Sequence, residues 1–148
     1  MTTTLQTGCR LSAVPADMVP LVWPTAHELL KEAIEMNQGT ATLEDVYRQL
    51  ECGEATLWVA EMHHMILAMG VTEIAQYPRG LALRIWLLAG HDIQLWLEGM
   101  SVFESVARAH GCAFMEAFTR RGMAKLLRDL GFESKYAWAL KKIDARTH

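Results

Sequence analysis

The stretch "LALRIWLLAGHDIQLWLEGMSVFESVARAHGC", Leu81 to Cys112, decides the fold of this chain. Its opening apolar run predicts a strand that is buried on both faces. An amphipathic run follows the turn at Gly90-His91-Asp92 and ends at Gly111, which predicts a helix. Backbone N–H groups converge where a strand runs into a helix, and many proteins hold a phosphate there. Such a cradle usually needs glycines, whereas this turn continues Ile93-Gln94-Leu95-Trp96.

The composition predicts one globular domain over residues 1–148. Of the 148 residues, 51% are hydrophobic and 21% are charged. The net charge of −3 argues against broad nucleic-acid binding, which favours a basic face. No apolar run approaches the roughly 20 residues that span a bilayer, and the N-terminus lacks the pattern of a signal peptide. We therefore expect a cytoplasmic protein that binds neither nucleic acid nor membrane.

The three cysteines, Cys9, Cys52 and Cys112, are widely spaced and form no CxxC pair. This pattern favours a reducing compartment, with the cysteines packed as small apolar residues. No ligand spacing supports a zinc site. The adjacent histidines His63-His64 would point to opposite faces of a strand and chelate one ion poorly, so they predict a hairpin turn. We expect no metal.

The segments before Leu81 predict one strand, two helices and two further strands. A short strand at "CRLSAV" precedes a helix for which Thr25 is the expected N-cap, since Pro20 and Pro24 should break or restart a helix. Thr42 and Asp45 have the spacing of a capping box for the second helix. "ATLWVAEM" and "MILAMGVTEIAQY" then predict two antiparallel strands.

The segments after the central helix predict a strand, a helix and a last strand. "CAFMEAF" is the strand, and a short helix closed by Gly131 follows it. "KYAWALKK", residues 135–142, alternates as a final strand. The order β-α-α-β-β-β-α-β-α-β predicts an α/β (α+β) fold with a mixed, mainly antiparallel sheet flanked by helices. Residues 81–88 should be central, with 112–118 parallel beside them.

This order, with Ala107, Gly111-Cys112 and Gly131-Phe132-Glu133, resembles the GNAT superfamily of acyl-CoA-dependent N-acyltransferases. The likeness in the order of elements covers nearly the whole chain. The Arg121-Gly122 pair before the last helix is also similar to divergent GNAT-like proteins of tailed phages. That resemblance implies a phage-encoded protein, in the host cytoplasm or associated with the virion.

The resemblance implies an acyl-CoA site that has degenerated. The family's pyrophosphate loop, Arg/Gln-x-x-Gly-x-Gly/Ala, aligns with residues 91–96, where neither glycine is present and Asp92 adds negative charge. We expect Gln94 and Trp96 to fill the volume of the pyrophosphate. The positions that would hold the cofactor are Leu87, Leu88, Gln94, Leu95 and Trp96. The position of the family's proton-donating tyrosine falls on Leu127, and that of its helix-start asparagine falls on Arg120.

Three residues are in suitable places for the base that a GNAT-type transfer needs: Glu73, His91 and Glu116. Alternatively, the two glutamates are solvent-facing strand positions and His91 is a turn residue. A basic cluster near the last helix could hold a phosphate-bearing ligand or an acidic protein surface, or it is a solvated helix face. Its members are Arg120, Arg121, Lys125 and Arg128.

Two functions therefore remain open. The first is a phage-encoded, non-catalytic GNAT-like module that acts by protein contact, as a virion- or assembly-associated protein or a homo-oligomer, and binds no cofactor. The alternative is an acetyl-CoA-dependent N-acetyltransferase with a noncanonical CoA-binding loop.

Overall fold

The computed structural model describes residues 2–90, 92–119 and 121–143, and of Arg121 only the backbone. Within these residues, six strands and four α-helices follow one another. They are β1 (Thr2–Thr4), β2 (Arg10–Val14), α1 (Val19–Ile34), α2 (Leu43–Glu51), β3 (Ala55–Met62), β4 (Met65–Tyr77), β5 (Gly80–Ala89), α3 (Ile93–Ala109), β6 (Phe114–Ala117) and α4 (Arg121–Arg128).

The strands form one sheet in the order β1-β2-β3-β4-β5-β6. The first five pair antiparallel, and β6 pairs parallel with β5 from Ala82–Phe114 to Ile85–Ala117. The crossover that a parallel pair requires is α3. The mixed, mainly antiparallel sheet is confirmed. The strand predicted over 81–88 has neighbours on both sides, although it is fifth of six.

Helices cover both faces of the sheet and create two cores. On one face, α3 and α4 bury a cluster around Trp58, Trp96 and Phe103. On the other, α1 and α2 bury a cluster around Leu57 and Trp86. Burying apolar surface at about 25 cal/mol per Å² is the main force that holds these layers together.

Helix α1 begins earlier than the sequence predicts. It starts at Val19 with Pro20 in its first turn and continues through Pro24, so the expected N-cap at Thr25 is wrong. A proline in the first turn costs little, because the N–H it lacks would have no partner there. Pro24 removes one hydrogen bond, but the buried stripe from Val19 to Ala33 packs on the sheet and outweighs that loss.

Two local predictions are confirmed. Thr42 and Asp45 form a reciprocal capping box at the start of α2. His63 and His64 form the turn between β3 and β4, both with left-handed φ angles of 52° and 63°. The cysteines are all free, and only Cys9 is fully buried, since Cys52 is exposed and Cys112 is half-buried.

The two ends of the chain differ from the prediction. Thr2–Thr4 form an unpredicted edge strand beside β2. Residues 132–143 have no regular secondary structure, so the final strand expected at 135–142 is wrong. Alternation of apolar and polar residues describes a segment that could be a strand, but a strand forms only where a partner supplies hydrogen bonds.

Candidate functional site

The turn between β5 and α3 is built around Gly90. Its φ is +125°, and a Cβ there would approach the Cβ of Ala68 to 2.7 Å. Glycine is needed here because the backbone of β4 passes so close. The one glycine of this turn is therefore explained by packing between strands.

Asp92 caps the helix that follows. Its Oδ1 accepts hydrogen bonds from the backbone N–H groups of Gln94 at 3.0 Å and Leu95 at 3.4 Å. These are the free donors that an anion would meet at the start of α3. The chain's own carboxylate thus occupies the helix start.

The residues expected to hold the cofactor lie in different environments. The side chains of Leu87 and Leu95 are buried, and Leu88 is half-buried against the α3 side of the sheet. Gln94 is exposed on the first turn of α3. Any contact of the two buried leucines with a ligand would therefore run through their backbone. These roles stay predictions.

Trp96 lies in the core. It is 3% exposed, stacks on Phe103 with ring centroids 6.3 Å apart, and reaches Gly70 of β4. An apolar ring at this position of α3 packs onto the sheet, and the expectation that it fills the volume of the pyrophosphate stays a prediction. Its Nε1 is buried and finds no acceptor among the residues that the structure describes.

Two of the candidate bases meet across the sheet. Glu73 on β4 is the register partner of Arg84 on β5, and Arg84 is the register partner of Glu116 on β6. Register partners share one face of the sheet. The guanidinium donates to Glu73 Oε1 at 3.0 Å from Nη1 and to Glu116 Oε1 at 2.5 Å from Nε. We call these three residues the charged row.

Two aromatic residues complete the surroundings of the charged row. The Tyr77 hydroxyl donates to Glu116 Oε2 at 2.6 Å, and the Phe118 ring lies 5.2 Å from the Arg84 guanidinium carbon. Partial burial lowers the pKa of Arg84, but the hydrogen bonds to Glu116, Tyr77 and Glu73 raise it by more. The pKa is therefore above its ordinary value. Arg84 therefore stays a cation at neutral pH.

The charged row limits what its carboxylates can do. Both oxygens of Glu116 accept hydrogen bonds, from Arg84 and Tyr77, whereas Glu73 receives one from the part of the chain that the structure describes. A general base needs a free oxygen within reach of its proton. Glu73 is thus the better placed of the two glutamates to act as a general base. Its side chain is 18% exposed.

The sheet opens beside the charged row. The pairing of β5 with β6 ends at Ile85 and Ala117, while β5 continues to Ala89. Within the described residues, no strand pairs with 86–89 on the β6 side. The backbone groups of 86–89 on that side therefore have no strand partner among the described residues.

The sequence reasoning missed Arg84 and Tyr77. A single arginine within "LALRIWLLA" was the available signal, since a charge in a buried strand needs partners. The partners themselves are set by strand register, which local pattern does not reveal.

The remaining predicted residues lie on or near α4. Lys125 and Arg128 are exposed one turn apart on α4, whereas Leu127 is buried. The buried Leu127 packs in the α3–α4 core and carries no proton to donate. His91 and Arg120 lie outside the described residues, and so does the side chain of Arg121.

Two kinds of feature are absent from the described ranges. No group of three or more His, Cys, Asp or Glu side chains could hold a metal ion there. No helix among those residues has both the length and the apolar character to cross a membrane.

Comparison with known proteins identifies the fold. No family model and no curated protein matches the sequence. Solved structures do match: glucosamine-6-phosphate N-acetyltransferase from Arabidopsis thaliana has a TM-score of 0.62 at 17% identity, covering 92% of this chain and 99% of its own.

Two further structures agree with this match. A predicted acetyltransferase from Clostridium acetobutylicum, solved with acetyl-CoA, has a TM-score of 0.63 at 10% identity, covering 90% of this chain and 96% of its own. A GCN5-related N-acetyltransferase from Ralstonia eutropha JMP134 has a TM-score of 0.63 at 15% identity, covering 91% and 99%. The chain therefore has the GNAT fold.

Proposed function

We propose that this chain is a non-catalytic GNAT-fold module that has lost its acyl-CoA site and acts by protein contact. The observation that carries the proposal is the cap at the start of α3. There, the Asp92 carboxylate takes the N–H groups of Gln94 and Leu95. A bound diphosphate would need those same donors.

Electrostatics at this turn disfavour a phosphate. Two like unit charges 4 Å apart repel by about 4 kcal/mol at the effective dielectric constant of about 20 that suits sites near a protein surface. The dipole of α3 favours an anion by only about 0.3–1 kcal/mol. The repulsion from Asp92 is therefore the larger effect.

The proton donor is the second support. Leu127 stands where the resemblance places a tyrosine, and it is buried in the core. Replacing Leu127 by a side chain that can donate a proton would disturb the packing of the core between α3 and α4. Loss at the cofactor turn and loss at the proton donor are independent of each other.

The exposed face of α4 is the third support, since a module that acts by contact needs a docking surface. Lys125 and Arg128 present positive charge there. Charge on an exposed helix favours complementary partners and speeds association.

An association with phage particles is the finer part of the proposal. It rests on the resemblance at Arg121-Gly122, the residues that begin α4. Quantitative mass spectrometry of purified virions tests it. We expect the chain at a stoichiometry typical of structural proteins, and its absence from virions and assembly intermediates would contradict this part.

An active N-acetyltransferase is the second candidate, and one observation favours it. The gap between β5 and β6 beyond Ile85 leaves backbone groups open beside Glu73, which keeps an unshared oxygen within the described region. In this case Glu73 takes the amine proton and the thioester lies along β5.

Calorimetric titration with acetyl-CoA separates the two functions. We expect millimolar or absent binding for the native chain, and a gain of about tenfold or more for the double variant Asp92→Gly, Gln94→Gly, which removes the charge and lets the backbone approach. The matched control is Asp92→Asn, which keeps a good N-cap but loses the charge. It should show a smaller gain. A low-micromolar dissociation constant for the native chain, with release of free CoA when an amine is added, would overturn the proposal and favour the enzyme.

A further inference from the structure

Three sulfur-bearing residues lie on neighbouring strands at one end of the sheet. Met62 of β3 and Met65 of β4 are register partners. The last register pair of β2 with β3 is Arg10 with Glu61, and Cys9 stands opposite Met62 one step beyond it. The Cys9 thiol lies 3.4 Å from the carbonyl oxygen of Glu61. We call Cys9, Met62 and Met65 the sulfur row.

The sulfur row lies on the face of the sheet that α3 covers. Cys9 belongs to the core beneath that helix, and Met62 packs against the same core. Met65 shares the face of Met62, because register partners do. Neighbouring strands are about 4.8 Å apart, and the unbranched methionine side chain has three rotatable bonds. One thiol and two thioethers can therefore converge on a single ion.

The exposure of the sulfur row falls from one end to the other. Met65 is 64% exposed, Met62 is half-buried and Cys9 is 0% exposed. An ion that arrives from solvent would meet the Met65 thioether first and the Cys9 thiol last. The row thus has an open end for entry and a closed end from which water is excluded.

The charges around Cys9 favour a cation. Burial raises the pKa of its thiol, and the carboxylates of Asp92, Glu61 and Glu98 raise it further. Among the described residues, only Arg10 forms an ion pair with one of these carboxylates, at Glu61. A monovalent cation that replaces the thiol proton leaves the net charge unchanged, and the same carboxylates stabilise it.

The donor atoms determine which ion fits. Thiolate and thioether ligands select soft ions such as Cu⁺, whereas harder divalent ions prefer oxygen and imidazole ligands. We propose that the sulfur row binds one Cu⁺ ion through the Cys9 thiolate and the thioethers of Met62 and Met65. The thiol proton passes to solvent as the Cu–S bond forms.

This proposal departs from the expectation of no metal. That expectation depended on ligand spacing along the sequence, whereas the sulfur row is created by the register of three strands. Neither the cap at the start of α3 nor the exposed face of α4 supplies a ligand, so the proposed loss of the acyl-CoA site is tested separately.

Competition with bicinchoninate for Cu⁺, without oxygen and with ascorbate present, tests the proposal. Because Cys52 and Cys112 are not fully buried and also offer thiols, both are first replaced by serine. We expect this background chain to hold one equivalent of Cu⁺, and Zn²⁺ should not displace it. Adding Cys9→Ala should abolish binding, and Met65→Leu should raise the dissociation constant about tenfold or more.

Met65→Leu is the decisive variant, because an exposed position tolerates the change without loss of the fold. Circular dichroism checks that Cys9→Ala stays folded. The matched control is the double variant His63→Ala, His64→Ala, which removes the imidazoles of the neighbouring turn and should keep the affinity. An equal loss in this control would assign the ion to the turn and overturn the proposal.

Nuclear magnetic resonance of the native chain locates the ion. Ag⁺ is the probe, as a soft monovalent ion that ascorbate and air do not have to keep in one oxidation state during the titration. The methyl resonances of Met62 and Met65 should shift with one equivalent, whereas that of Met18, which is 45% exposed on the other side of the sheet's helices, should not. The proposal is overturned if the background chain retains no Cu⁺, if Met65→Leu binds as tightly as the background, or if Met18 shifts together with the row.

Discussion

Two buried tryptophans differ in one hydrogen bond, and this difference predicts different losses of stability for the same substitution. Trp86 is 7% exposed, and its Nε1 donates to Asn37 Oδ1 at 2.7 Å. Trp96 is 3% exposed, and its Nε1 has no acceptor in the described part of the chain. Replacing each by phenylalanine removes the N–H and keeps an aromatic ring.

The magnitudes follow from two effects. The smaller ring buries roughly 40 Å² less apolar surface, which costs about 1 kcal/mol in either variant at about 25 cal/mol per Å². A buried polar group without a partner costs about 1–3 kcal/mol. Trp96→Phe removes such a group, so its free energy of unfolding should stay within about 1 kcal/mol of the native value. Trp86→Phe leaves the Asn37 oxygen without its donor, so it should lose about 2–4 kcal/mol.

Urea unfolding followed by far-ultraviolet circular dichroism measures both, because this signal comes mainly from the backbone and not from the tryptophans that are replaced. Equal slopes against denaturant would show that the midpoints report stability alone. Trp96→Ala is the control for packing and should lose about 3–5 kcal/mol. If the two phenylalanine variants lose the same stability, the unpaired state of the Trp96 N–H is refuted.

Substitutions at four further positions can be checked by the same unfolding assay. Arg84→Met should cost about 2–3 kcal/mol, because the glutamates that flank it on β4 and β6 stay partly buried without a cation, while Arg84→Lys should recover part of the loss. Gly90→Ala should cost about 2 kcal/mol or more, since the φ of +125° is strained for alanine and the new Cβ meets Ala68; an unchanged midpoint would contradict the close approach of β4 to this turn. Thr42→Ala should cost about 1 kcal/mol as a lost N-cap. The Thr42 backbone N–H lowers the pKa of Asp45 most, followed by the Thr42 hydroxyl and Arg48. The Asp45 carboxylate therefore stabilises the fold above the ordinary carboxyl pKa, and this stabilisation is lost as the pH falls through the lowered pKa. Asp45→Asn should therefore be less stable than the native chain at neutral pH, and the difference should vanish in acid; a difference that persists in acid would refute the assignment.

Much of the fold could be predicted because its signals are local. The apolar run before Gly90, the amphipathic run after it and the capping box at Thr42 each depend on residues a few positions apart. Parallel pairing of neighbouring strands needs a crossover such as a helix, and α3 supplies it between β5 and β6. The sequence also shows directly that the turn before α3 has no Gly-x-Gly pair, and it predicts the turn at His63-His64.

What the sequence could not determine depends on contacts between distant residues. Glu73, Arg84 and Glu116 lie on three strands, and only the register between those strands places them in one row. The direction of Trp96 into the core depends on the space above Gly70, and the course of α1 through Pro24 depends on the sheet beneath it.

The segment at 135–142 shows the same division most plainly. Its alternation is a property of the sequence, but a strand also needs a neighbour to share its hydrogen bonds. Within the described chain no neighbour pairs with it, and the edge of β6 stays open. The sequence by itself determined the order of elements from β2 to α4 and the residue types available at the turn. Tertiary structure alone decided which side chains meet and which edges remain unpaired, because register and burial are set by the whole sheet and not by neighbours in sequence.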